Sequence, residues 1–318
     1  MAVIGLGGGA ARAEGAPRLK VFVSILPQAT FVERVGGTHV EVGVLVGPGQ
    51  NPHAFEPSPK QMARLADARL LFTIGWPFEK LLAEKALSVN PALRLVDTRA
   101  GVPLRRMTAD EAAHDEHDGH DEHGKHDEKP GLPGRSPGPA AAKPGREEHA
   151  PAAGEPDPHV WMNPRNVKIM AATIAAALAE ADPAHAADYA RNCKDFQADL
   201  DRVDAKIAAA LAPLKGRPML VFHPAFGYFA DAYGLRQMPV EIEGKEPSAR
   251  QLADLIDKAR AAGARVIFVQ PQFSTKTAEA VARAIGGAVV PIDDLSPDYL
   301  ANLEAIAGRI ANAVSPRP

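Results

Sequence analysis

Eleven histidines stand in the 318-residue chain, and their spacing sorts them into groups with different chemistry. His114, His117, His120, His123 and His126 recur every third residue among aspartates and glutamates, a tract of imidazoles and carboxylates suited to zinc, nickel or copper(II). Such a run binds without a fixed geometry, and its alternative is an inert, solvated linker. His53, His159 and His223 are set differently. His53 lies in Asn51-Pro52-His53-Ala54-Phe55-Glu56-Pro57, His159 in Asp157-Pro158-His159-Val160-Trp161-Met162-Asn163-Pro164, and Pro224 follows His223. Proline fixes the backbone on which an imidazole stands, which lowers the ordering cost of binding. Taken singly, each of these histidines reads as a capping or packed residue. Three of them, at equivalent points of the fold and in a chain that carries a metal-binding tract, read as a ligand set. His39 and His185 look like surface residues at strand and helix starts and receive no role.

The elements that must position these side chains follow from hydrophobic patterning. From Leu19 onward short β-branched runs alternate with amphipathic helical stretches, the pattern of βα units around parallel sheets. In the first half strands fit 19–26, 41–46, 70–75 and 93–97, and helices fit 28–35, 59–68 and 77–87. In the second half strands fit 219–223, 237–242, 264–270 and 288–292, and helices fit 226–233, 248–262, 275–285 and 297–314. His53, His159 and His223 then fall at the carboxyl ends of strands or just before helices, where open α/β sheets place their ligands. Between the halves, Tyr189, Cys193, Phe196, Leu200, Val203, Ile207, Leu211 and Leu214 step by threes and fours, which predicts one long helix over 183–214. The expected organisation is a leader at 1–13, an α/β lobe over 14–182, the linking helix, and a second α/β lobe over 215–318. Residues 108–156 are polar, charged and rich in proline and glycine, and are expected to form a disordered insertion in the first lobe.

Composition narrows the function. Hydrophobic residues make up 46% and charged residues 24%, enough for a core. Lys plus Arg number 36 against 39 for Asp plus Glu, and a net charge of -3 gives no basic footprint for nucleic acid. Cys193 is the single cysteine, so a disulfide within the chain and a thiolate zinc cage are both excluded, and a metal site must use nitrogen and oxygen. No run reaches the roughly 20 apolar residues of a membrane span. Residues 1–13 are small and apolar and end in Ala11-Arg12-Ala13, a signal-peptidase pattern without its basic start. They read as a shortened secretory signal, with a flexible cytosolic start as the alternative; no cysteine follows for a lipid anchor.

NPHAFEPSP at 51–59, DPHVWMNP at 157–164 and VFHPAFGYFADAYGL at 221–235, with the acidic histidine-rich insertion between the first two, make the chain resemble the zinc-binding cluster A-I (cluster 9) solute-binding proteins of bacterial ABC transporters. The resemblance covers nearly the whole chain from Leu19. It implies two four-stranded α/β lobes bridged by a rigid helix, with metal in the cleft. It also implies a monomeric periplasmic protein that captures Zn²⁺ and hands it to a membrane permease. The family's histidine ligands fall on His53, His159 and His223. Its fourth ligand, an aspartate usually followed by proline and leucine, falls on Asp293. Here Asp294 stands where proline is common, so Asp294 stays open as the alternative. Manganese-type relatives have glutamate where this chain has His223, and three imidazoles with one carboxylate suit tetrahedral Zn²⁺ better than Mn²⁺.

Weaker candidates are Glu56, Glu241, Glu243, Gln270 and Trp161. Glu56 is near enough in sequence to orient the His53 ring by a hydrogen bond, or else it faces a helix dipole. Trp161 reads as core. The rival to a binding protein is a zinc hydrolase with a three-histidine centre, and a third reading is a zinc buffer built on the histidine tract. The chain contains no HExxH, HxHxDH, G-x-S-x-G or P-loop motif, and a fourth, carboxylate ligand would fill the position an activated water needs.

Overall fold

The computed structural model describes residues 17–108, 154–241 and 248–314. The expected leader, the tract from His114 to His126 and Glu243 lie outside the described residues. Alternating strands and helices build two four-stranded sheets, both wholly parallel, as the patterning predicts.

In chain order the first part runs β1 (Leu19–Val23), α1 (Leu26–Gly36), β2 (Val40–Val44), α2 (Pro59–Leu65), β3 (Leu70–Thr73), α3 (Pro77–Val89) and β4 (Arg94–Asp97). Its sheet order is β2-β1-β3-β4, with Val21 of the central β1 paired to Val42 on one side and Leu70 on the other. Val21, Phe22, Val23, Leu70, Leu71 and Phe72 are all buried, as strands covered on both faces require. Strand β1 stops three residues short of its predicted end. Pro27 occupies the first turn of α1, and Ser24 turns its backbone N–H to Gln28 Oε1 at 3.0 Å instead of continuing a ladder.

Two helices follow in this unit, α4 (Pro164–Ala181) and α5 (Ala186–Leu211), and they pack along each other and against α1. Single 3-10 turns, Pro183–His185 and Ala212–Leu214, extend α5 so that the helical stretch matches the predicted 183–214. All eight residues of its predicted apolar stripe are buried. Helix α4 has no counterpart among the predicted elements, although Asn163 caps it by accepting a hydrogen bond from Arg165 N at 3.0 Å and Pro164 opens it. His39 and His185 are half-buried rather than loose on the surface. Their rings stack 3.8 Å apart, with Asp188 on His39 and Asp182 on His185.

The second sheet, in order β6-β5-β7-β8, comes from β5 (Pro218–Val221), α6 (Gly227–Tyr233), β6 (Arg236–Pro239), α7 (Ala249–Ala261), β7 (Val266–Val269), α8 (Thr275–Ala284) and β8 (Ala288–Pro291), and α9 (Tyr299–Val314) is the last element among the described residues. Its core gathers Leu220, Phe222, Val240, Ile267, Val269 and Val281 between sheet and helices. Compactness divides the chain into one unit of Met1–Pro103, Val160–Ala212 and Asp293–Gly308 and another of Leu104–His159, Pro213–Ile292 and Arg309–Pro318. His159 thus shares a unit with His223, and Asp293 with His53. Hydrogen bonds explain both memberships. Arg105 and Asp157 are tied to the second sheet's α6, whereas Tyr299 and the 293–294 loop are bonded to Trp161 of the first unit. Among the described residues no helix is long and apolar enough to cross a membrane.

Candidate metal centre

His223 stands two residues beyond the end of β5 and His159 just before the turn Val160–Met162, and the second unit brings their rings face to edge with 3.3 Å between the two Nε2 atoms. Both residues are buried, at 3% and 1% exposure. Each ring's other nitrogen is held by a carboxylate: His223 Nδ1 by Glu241 Oε1 at 3.1 Å and His159 Nδ1 by Asp157 Oδ1 at 2.8 Å. An ionised carboxylate only accepts hydrogen bonds, so Nδ1 carries a proton in both rings, and in the neutral form of each ring the facing Nε2 atom carries the lone pair. Two lone pairs 3.3 Å apart repel unless a positive charge lies between them. Two nitrogens bound at about 2.0–2.1 Å to one tetrahedral Zn²⁺ stand about 3.3 Å apart, so the pair already has the span of a tetrahedral edge.

The surrounding contacts hold this geometry. Gln270, also buried, clamps the His223 backbone from both sides: its amide donates to His223 O at 2.9 Å, and its carbonyl accepts from His223 N at 3.3 Å. Phe273 stacks on the His223 ring at 4.9 Å. Asp157 Oδ1 accepts from His159 N at 2.9 Å as well as from the ring, and Asp157 Oδ2 accepts from Arg105 Nη1 at 2.7 Å. Burial alone would raise the Asp157 carboxyl, but the hydrogen bonds it accepts from His159 and Arg105 hold it below the ordinary aspartate value. Sequence reading named Glu241 and Gln270 only as weak candidates and gave Asp157 no role. Asp157 stands two residues from His159, in the Asp-x-His spacing that lets one carboxylate hold both backbone and ring. That spacing was the available signal.

In the first unit His53 sits on the 3-10 turn Pro52–Ala54, in the loop after β2. Asn51 Oδ1 caps the turn by accepting from His53 N at 3.0 Å, and the His53 ring meets Trp76 edge-on at 4.7 Å. Trp76 is itself fixed by Glu79, a buried carboxylate that accepts from the backbone N–H groups of Ile74 at 2.9 Å, Gly75 at 2.8 Å and Trp76 at 3.1 Å, and from the Ser24 hydroxyl. Burial pushes the Glu79 carboxyl up, and these donors offset part of that rise. Glu56 is exposed on the same loop.

Asp293 and Asp294 follow β8. Asp293 is half-buried; its Oδ1 accepts from Leu295 N at 2.9 Å and its carbonyl from the Asn302 side chain at 2.6 Å. Asp294 is buried, and its carbonyl accepts from the indole of Trp161 at 2.7 Å. Trp161 is fully buried, in keeping with its reading as core.

Residues 21–313 match the protein family described as "Zinc-uptake complex component A periplasmic". The high-affinity zinc uptake system protein ZnuA of Brucella abortus (strain 2308) is 31% identical over 297 residues, covering 89% of each chain. A crystal structure of ZnuA shares 36% identity at a TM-score of 0.77 and covers 94% of this chain and all of its own. A second, a ZnuA deletion mutant with zinc bound, shares 37% identity at a TM-score of 0.77 over 95% of this chain. The chain belongs to the family of periplasmic A components of zinc-uptake complexes.

Proposed function

We propose that this protein captures Zn²⁺ in the periplasm and delivers it to the permease of an ABC importer. The observation that carries the reading is the His159–His223 pair, two buried imidazoles with both Nδ1 atoms held by carboxylates and the Nε2 atoms 3.3 Å apart. In this reading zinc is cargo. His53 adds a third imidazole from the loop after β2, and Asp293 supplies the fourth ligand, with Asp294 as its alternative. Glu56 orients the His53 ring. The tract at His114, His117, His120, His123 and His126 adds weaker sites.

The protein acts as a monomer that reaches the periplasm through the leader at 1–13, and it has no nucleic-acid partner. It is a carrier rather than an enzyme: a carboxylate completing the zinc shell leaves no position for an activated water. Support for transport comes from the family match and from the ZnuA of Brucella abortus, a high-affinity zinc uptake protein.

Isothermal titration of the full chain with Zn²⁺ and with Mn²⁺ tests the reading. One tight site for zinc that His159→Ala or His223→Ala removes is the expected result. Tight binding that survives both substitutions refutes the ligand set. Phosphatase or esterase turnover above that of free zinc would return the hydrolase to first place.

A further inference from the structure

Arg105 lies on a short antiparallel stem through which residues 105–107 meet residues 154–157. Met107 N donates to Glu155 O at 2.9 Å, Gly154 N to Met107 O at 3.0 Å and Asp157 N to Arg105 O at 3.0 Å, and Arg106 bridges to Pro156. The Arg105 guanidinium is divided between two carboxylates. Its Nη1 donates to Asp157 Oδ2 at 2.7 Å and its Nε to Asp231 Oδ2, on α6, at 2.9 Å. The same group lies 5.9 Å from the ring centroid of Tyr228, whose hydroxyl accepts from Arg105 N at 3.0 Å. For a charged side chain it is well enclosed, at 12% exposure.

Gly227, the first residue of α6, makes room for this arrangement. A Cβ there would sit 1.9 Å from Arg105 Nη1 and 2.7 Å from Asp157 Oδ2, so the ion pair crosses the helix where the side chain is missing. The Asp157 side chain is fully enclosed, and an enclosed carboxylate needs a countercharge and fixed hydrogen bonds. Arg105 gives it both on Oδ2, which leaves Oδ1 aimed at the backbone and ring of His159.

We propose that Arg105 is a positioning residue of the zinc site, holding Asp157 so that His159 keeps one tautomer and one orientation, and thereby setting zinc affinity from outside the ligand shell. This rests on the reading of His159 as a ligand. Asp231, at 63% exposure, steers the outer edge of the guanidinium and has little weight of its own.

A double-mutant cycle in the full chain tests the proposal, with zinc affinity read by competition against a chromophoric chelator and folding by thermal melting. Arg105→Ala should weaken zinc by about 10- to 100-fold, the usual effect of losing an outer partner of a metal-bound histidine. Because Arg105 acts through Asp157, the same change in an Asp157→Asn background should cost almost nothing further. Arg105→Lys keeps the charge but cannot serve both carboxylates, so it should recover part of the affinity; it also carries the cycle if the alanine variant folds poorly. In ¹⁵N spectra of the metal-free protein, the His159 ring should show a single Nδ1–H tautomer that Arg105→Ala mixes, a signature that general loosening of the fold would not produce. Unchanged affinity in both Arg105 variants, or an equal loss in the two backgrounds, overturns the proposal. If His159→Ala itself leaves tight binding intact, both this proposal and the ligand reading fall; if His159→Ala abolishes binding while the Arg105 variants do not change it, only this proposal falls.

Discussion

A histidine binds metal through a lone pair on one ring nitrogen, so the group that occupies the other nitrogen matters as much as the ring. Glu241 has that place on His223. Glu241→Ala should weaken zinc by about 10- to 100-fold, while Glu241→Gln, which still offers an acceptor oxygen to Nδ1, should lose less; chelator competition orders the two. At the carboxylate end, Asp293→Ala should weaken zinc-induced stabilisation less than His223→Ala, since water can take a fourth position. Thermal unfolding with and without zinc tests that order, and a greater loss with Asp294→Ala would move the ligand one residue along. The histidines themselves were legible because proline-flanked imidazoles at strand ends form a local pattern. Their supports were not. Arg105 and Asp157 are 52 residues apart, and Glu79 reaches Ser24 across 55, so only the folded chain brings these pairs together.

At the scale of elements, α5 depends on its buried stripe. Phe196, fully buried, packs 5.9 Å from Phe31 and lies under the Arg34 guanidinium. Phe196→Ala should cost about 3–5 kcal/mol in urea denaturation, the loss typical of a large aromatic removed from a core. The start of α5 carries a pH dependence. Burial first, and then the hydrogen bond that Tyr189 donates to Asp182 Oδ2 at 2.7 Å, push the phenol pKa up. A raised folded-state value means that Tyr189 contributes its full stability below the unfolded value of about 10 and loses it as pH rises from there toward the folded value. The wild-type chain should therefore weaken more steeply than Tyr189→Phe between pH 9 and pH 11 in urea titrations; parallel curves would remove Tyr189 from the account. Eight strands and the long helix could be read from alternation and from spacing by threes and fours. Helix α4 was not, although Val167, Met170, Ala171, Ile174, Ala177 and Leu178 form its buried face. Seven alanines among its eighteen residues blur the contrast between faces on which a periodicity argument depends.

For the whole molecule, cargo and stability are linked. A ligand that binds only the folded chain stabilises it by RT ln(1 + [L]/Kd), about 4 kcal/mol at a thousandfold excess over Kd. Removing residues 110–153 should leave that linkage and one tight zinc site in calorimetry, with only weaker sites lost; loss of the tight site would refute the assignment to His53, His159 and His223. Residues 154 and 155 must stay, because Gly154 and Glu155 bond to Met107. That stem has a practical consequence. Its two arms are already joined by backbone hydrogen bonds, so the chain between them can change length at a cost of only about 0.6 kcal/mol per doubling. A circularly permuted fluorescent protein spliced in place of residues 110–153 would rejoin the chain at Gly154, which bonds to Met107, two residues from Arg105, and lies three residues from Asp157. Its emission would then report the arrival of the ion, making the stem a ready port for a genetically encoded sensor.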